Sequence, residues 1–150
     1  MKNILVAIHY ARNAENLLNQ AKTLADAFGG KVWILHVTDP DPDDFRSLEA
    51  GPQFAQDKRV AERKRKAKVL EGFAQNMRNE GVEAESLVID GPTAKTIKNK
   101  VSELNIDLVI AGHQKKNFFY QLFVGNREKD IIEELTVPIL IVPLVKSRKE

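Results

Sequence analysis

Hydrophobic residues along this chain recur with two periods. Ile4 to Ile8 is apolar at every position, the mark of a strand buried on both faces. Val32 to Val37 and Leu108 to Ala111 have the same character, and Gly112 is expected to stop the latter abruptly. Val82 to Ile89 differs, because Glu83, Glu85 and Ser86 interrupt its apolar residues; that mixture predicts an edge strand. A fifth strand, Val137 to Val142, is strongly apolar, and Pro138 and Pro143 at its margins also favour an edge position.

Helical periodicity fills the intervals. Asn13 can cap a helix whose face carries Leu17, Leu18, Ala21, Leu24, Ala25 and Phe28, with Gly29-Gly30 ending it. From Gln53 to Glu80 a long helix is predicted. Its apolar stripe is clear only at Ala67, Leu70, Phe73, Ala74 and Met77; further back, at Arg63 and Lys64, the face turns basic. That first half is expected to project past the sheet edge, or to cover apolar surface with aliphatic stems. Asp90-Gly91-Pro92-Thr93 reads as a strand-to-helix turn, followed by one face of Ala94, Ile97, Val101 and Leu104. A last helix is predicted from about Arg127 to Leu135. Five strands alternating with four helices describe a doubly wound α/β domain with a parallel sheet, and 150 residues suit a single domain over 1–150.

Composition narrows the chemistry. The chain has no cysteine, which excludes thiolate metal sites and thiol catalysis and fits a reducing compartment. Met1-Lys2-Asn3 leads straight into the first strand, and no apolar run approaches the ~18 residues of a membrane span, so a cytoplasmic protein without membrane insertion is expected. Net charge is only +2, but Lys58, Arg59, Arg63, Lys64, Arg65, Lys66 and Lys68 fall within eleven residues. Without interleaved aromatics or a groove-reading motif they read as a solvated face, not a specific nucleic-acid site. Asp39, Asp41, Asp43 and Asp44, interspersed with Pro40 and Pro42, lack the glycine and distal glutamate of a calcium loop and read as a solvated loop. His9, His36 and His113 have no carboxylate at ligand spacing, so no metal is assigned; His36, inside an apolar strand, reads as a satisfied core histidine.

In an open parallel sheet, ligands bind outside the carboxyl ends of the strands. The long loop leaving Gly112 and re-entering a helix at Gly125-Asn126 is therefore the candidate site. A helix start offers unpaired N–H groups and partial positive charge to a phosphate, and glycine permits close approach. Lys115 and Lys116 add formal charge. Phe118, Phe119, Tyr120 and Phe123 lie within the same loop and are expected to pack over a sheet edge or a subunit contact. There is no G-x-G-x-x-G after the first strand, no G-x-x-x-x-G-K-[ST] and no G-x-S-x-G, and no nucleophile, base and orienting residue stand at usable spacing. A catalytic role therefore has little support in the sequence, and an enzyme is not expected, a slow ATPase being the one activity left open.

Gly112, two residues, Lys115, nine residues, Gly125-Asn126 resembles the phosphate-binding signature of universal stress proteins: Gly, two residues, Gly, nine residues, Gly, then Ser or Thr. Asn3 to His9, Val32 to Val37, Gly91 to Gly112 and Val137 to Pro143 resemble that family's blocks in their order. The resemblance implies an adenine nucleotide alpha hydrolase-like, Rossmann-like sheet of order 3-2-1-4-5 and a regulatory role in stress response. ATP, with magnesium, or AMP would lie in the crevice between strands 1 and 4. Ala7, Ile8 and Val37 would border adenine, His9 and Gly112 would line the crevice, and Lys115, Gly125 and Asn126 would meet phosphate. It also implies a homodimer through the strand Val137–Val142 and a downstream protein partner that the residues do not identify. Three positions depart from the nucleotide-binding pattern: His9 stands where an aspartate is usual, Lys115 replaces the second glycine, and Asn126 replaces a hydroxyl. Gly112-His113-Gln114 and the aromatic segment are closer to the branch that does not bind ATP, so the alternative is a homodimeric interaction module.

Overall fold

The structure, a computed structural model, describes residues 2–9, 14–38, 52–113 and 135–143. The elements are β1 (Asn3–Ala7), α1 (Ala14–Phe28), β2 (Lys31–Thr38), α2 (Pro52–Asn79), β3 (Ala84–Asp90), α3 (Thr93–Glu103), β4 (Leu108–His113) and β5 (Ile139–Pro143). All four strand pairings are parallel, and the order is β3-β2-β1-β4-β5. That is the doubly wound sheet the resemblance implied. Asn13, the Asp39–Asp44 loop, most of the predicted last helix, and Lys115, Lys116, Phe118 to Phe123, Gly125 and Asn126 lie outside the described residues.

The order follows from burial. β1 and β4 carry Leu5, Val6, Val109 and Ile110, which have no exposure at all, so these strands sit at the centre with helices on both faces. β3, with its polar interruptions, has only intermediate or exposed residues from Glu85 onward and lies at one edge; β5 lies at the other. Alternation sends Ile4, Val6, Ile8, Val32 and Ile34 to the face covered by α1 and α2. Leu5, Ala7, Leu35, Val37 and Val109 go to the face covered by Ile97 and Val101 of α3.

Two local expectations are corrected. Gly112 does not stop β4, because the β5 ladder continues through Gly112↔Val142 and His113↔Pro143, and a paired neighbour holds the backbone extended past the glycine. Phe28 does not join the apolar face of α1: it is 54% exposed at the helix end, while Leu17, Ala21 and Ala25 pack inward.

In α2 the apolar stripe works as expected from Leu70 onward, through Ala74 and Met77, although Ala67 is exposed. From Asp57 to Val69 every residue is exposed except Lys66. The second half is pinned to β3 by Arg78 Nη1, which donates to the Ala84 carbonyl at 2.7 Å, and by Ser86 Oγ, which donates to the Glu71 carboxylate at 2.9 Å. At the β3–α3 turn Gly91 has φ +149°, and a Cβ there would meet Thr96 Oγ1 at 3.1 Å, so a side chain would be strained. Its N–H donates to the Thr38 carbonyl, closing the β2 and β3 ends together.

Candidate functional site

The strand order reverses at β1, whose neighbours β2 and β4 belong to the two halves of the sheet. Register brings Ala7 level with both Leu35 and Ala111, so the chain leaves β1 between the ends of its neighbours. In doubly wound sheets crossover connections diverge at such a point to opposite faces and leave a crevice. Ala7, Ile8, His9, Val37 and Gly112 all stand at these carboxyl ends. Ala7, Ile8 and Val37 are committed core side chains, no more than 6% exposed; His9 is half-buried.

Behind His9 is an arrangement of which sequence reasoning foresaw only part. His36 is buried, on the β2 face turned toward α1 and α2, and its Nδ1 lies 2.9 Å from the Ile8 carbonyl oxygen. Its Nε2 lies 3.1 Å from Nζ of Lys66. A lysine ammonium can only donate, so Nε2 is the acceptor and Nδ1 carries the proton that goes to Ile8. The core reading of His36 therefore holds, with both ring nitrogens satisfied. Burial pushes the imidazole below the ordinary value of 6.5; the bond to Ile8 opposes this and the Lys66 charge adds to it. His9 is lowered by burial first, then by His36 and by Lys66.

Lys66 was legible only as one of seven basic residues. Its partner is an imidazole, and Arg63, one turn before it, forms an ion pair with Asp90 at the end of β3. Leu70 lies four residues beyond Lys66 and seven beyond Arg63, so both basic residues extend the apolar stripe by helical spacing. That phase was the signal in the sequence. A second unforeseen feature is the Thr38 hydroxyl, buried at the end of β2 and without a hydrogen-bond partner among the described residues.

Chemically, the cluster of His9, His36 and Lys66 is neutral to basic. Among the described residues no group of three or more histidines and carboxylates converges to hold a metal. His9 and His36 do approach each other, but the third member of their cluster is an ammonium, which repels a cation. No helix of the described residues is long and apolar enough to cross a membrane. A groove lined by Leu18, Phe73 and Met77 between α1 and α2 lies on the helical layer, away from the strand ends.

The universal stress protein family model matches residues 1–143. A universal stress protein of Thermus aquaticus, from the 3′ region of a QAH/OAS sulfhydrylase, is 28% identical over 144 residues, covering 94% of this chain and 98% of that one. Among solved structures, the universal stress protein UspA of Lactobacillus plantarum superposes with a TM-score of 0.71 at 17% identity, covering 94% of this chain and 97% of its own. A universal stress protein family protein of Arabidopsis thaliana with AMP bound superposes with a TM-score of 0.59 at 15% identity, covering 95% and 92%. At such identities the structures speak for the fold, and the family model, spanning the chain from the first strand through the last, speaks for descent. The chain belongs to the universal stress protein family.

Proposed function

We propose that this protein is a stress-response regulator that binds AMP or ATP weakly in the crevice between β1 and β4, as a sensor and not as an enzyme. The observation that carries this reading is the reversal of strand order at β1, with His9 and Gly112 at the strand ends that flank it. The AMP-bound Arabidopsis relative, of the same fold, supports adenine nucleotide as the ligand class. Lys115, Gly125 and Asn126 would meet phosphate, magnesium would accompany ATP, and the backbone of Ala7, Ile8 and Val37 would border the base. With histidine at position 9 instead of a carboxylate, the nucleoside end lacks a strong acceptor, and the affinity is correspondingly low.

The working unit in this reading is a cytoplasmic homodimer joined through Val137–Val142. In β5, Ile139, Leu140 and Ile141 are only partly covered, and an apolar edge strand invites a second chain. The basic half of α2 remains a solvated face: Arg63 pairs with Asp90, Arg65 lies 3.9 Å from Glu62, and Lys66 is held by His36.

Calorimetric titration with AMP, and with ATP and magnesium, tests the reading. At ~100 times its dissociation constant the nucleotide stabilises the fold by about 2.7 kcal/mol, raising the melting temperature by roughly 5 to 11 °C. Gly125→Val abolishes the shift by blocking phosphate approach. An empty titration at millimolar nucleotide refutes the sensor and leaves the homodimeric interaction module.

A further inference from the structure

The hydrogen bonds behind the crevice form a continuous chain from the outer helix to the residue that opens the ligand corner. Lys66 Nζ donates to His36 Nε2 at 3.1 Å, and His36 Nδ1 donates to the Ile8 carbonyl at 2.9 Å. That carbonyl shares its peptide plane with the nitrogen of His9. The N–H of Ile8 is fixed as well, donating to the Leu35 carbonyl at 2.8 Å. The Ile8 carbonyl can only accept and the Lys66 ammonium can only donate, so both fix the proton on Nδ1; the imidazole decides where the carbonyl points, and the carbonyl orients the chain as it enters the crevice.

We propose that Lys66 and His36 are positioning residues for this crevice, a relay through which α2 sets the geometry of the Ile8–His9 peptide. The proposal rests on the nucleotide reading for its consequence in binding, but the relay itself does not depend on it.

The relay requires a neutral imidazole. A proton added at Nε2 turns the acceptor into a donor facing an ammonium, and hydrogen bond becomes repulsion. The groups around His36 bear on this. Among the described residues, His9 comes from just past β1; from α2 come Lys66 and Arg63, the latter committed to Asp90 of β3; α1 supplies apolar residues such as Ala14 and Leu17 to this face. Burial and the Lys66 charge hold His36 below its ordinary value, so the relay is closed at neutral pH and opens in acid. A ligand that depends on the His9 peptide then loses its seat on acidification.

The test uses the full chain, labelled with ¹⁵N-histidine, as wild type, Lys66→Met and Lys66→Arg. In the wild type His36 is expected as the Nδ1–H tautomer. Lys66→Met leaves Nε2 without its donor; the Ile8 carbonyl still holds the proton on Nδ1, but His36 titrates at higher pH and the His9 amide resonance moves. Lys66→Arg keeps a donor and restores both. A Lys66→Met protein with unchanged titration and His9 resonance overturns the relay.

Calorimetry with AMP then reads the consequence. Lys66→Met is expected to weaken binding about 2- to 10-fold, the scale of one hydrogen bond, and to flatten the loss of affinity between ~pH 7.5 and ~pH 5.5 relative to wild type. Wild-type affinity and pH profile in Lys66→Met, with the His36 titration changed, refute the positioning role. If wild type binds no AMP, the nucleotide reading falls, and the His9 resonance alone decides the relay.

Discussion

Replacing His36 by leucine tests the buried polar arrangement most directly. The side chain is 5% exposed and holds two partners, the Ile8 carbonyl and Lys66 Nζ. Leucine of similar bulk keeps the packing against the α1–α2 face but removes both bonds. Lys66 can swing its ammonium to water, because it lies on the exposed half of α2. Most of the loss arises at the Ile8 carbonyl, one residue past β1, because Ile8 is only 1% exposed and its carbonyl is left without this partner. A buried acceptor deprived of its partner costs about 1 to 3 kcal/mol, or roughly 2 to 12 °C in melting temperature for a chain of this size. Lys66→Met alone is expected to cost less, about 0.5 to 1.5 kcal/mol. The double variant should fall short of the sum by about the same amount, because the two residues share one bond.

The pH dependence supplies a second, independent reading. His36 is depressed in the folded state, so the folded protein binds fewer protons than the unfolded chain below the ordinary value of 6.5. Stability is therefore fully present above that value and is lost as pH falls from there toward the folded value. His9 acts in the same sense, and part of its depression comes from His36. Denaturant unfolding at several pH values between ~7.5 and ~5.5 should show a shallower decline for His36→Leu than for wild type. An identical decline, or a loss under ~0.5 kcal/mol at neutral pH, refutes the assignment of His36 as a neutral, doubly bonded core residue.

Three further outcomes are expected. Ile139→Lys or Ile141→Lys, placed on the β5 edge, should shift a dimer to monomer in sedimentation at micromolar concentration, and a wild-type monomer there refutes the β5 interface. Ile97→Ala should cost about 2 to 5 kcal/mol in chemical denaturation, because Ile97, on the inner face of α3, is wholly buried; a loss under ~1 kcal/mol means that α3 is not docked on the sheet. Asp107 accepts from the backbone N–H groups of Asn3 and Lys2 at 3.0 and 2.8 Å, and these bonds, that to Asn3 foremost, hold its carboxyl below 3.8. Asp107→Asn should melt below wild type at neutral pH, and the gap should close as pH falls through the folded value, where wild type loses the same charge-assisted bonds.

Much of the architecture was legible in the amino-acid order. Five strands, three of the four predicted helices among the described residues and the edge positions of β3 and β5 follow from periodicity, from Glu83, Glu85 and Ser86, and from the prolines of the last strand. Those signals are local: each is set by whether a side chain meets protein or water within its own element. The order β3-β2-β1-β4-β5 is not of that kind, since any of the apolar strands could pair with any other on hydrophobicity alone; family resemblance supplied it and the pairing bears it out. Gly112 likewise reads as a stop in isolation and becomes a paired strand residue only because β5 lies beside it. The crevice residues were placed at strand ends by sequence, but the partnership of Lys66 with His36, thirty positions apart, was not. Seven basic residues on one helix are equivalent to a reader of composition. What separates Lys66 and Arg63 from Lys64 and Arg65 is the rotational phase of α2 on the sheet, fixed by Leu70, Ala74 and Met77 entering the core. Burial of that stripe brings half-buried Lys66 to His36 and still-exposed Arg63 to Asp90; helical phase marks both residues in the sequence, and only the packed tertiary structure supplies their partners.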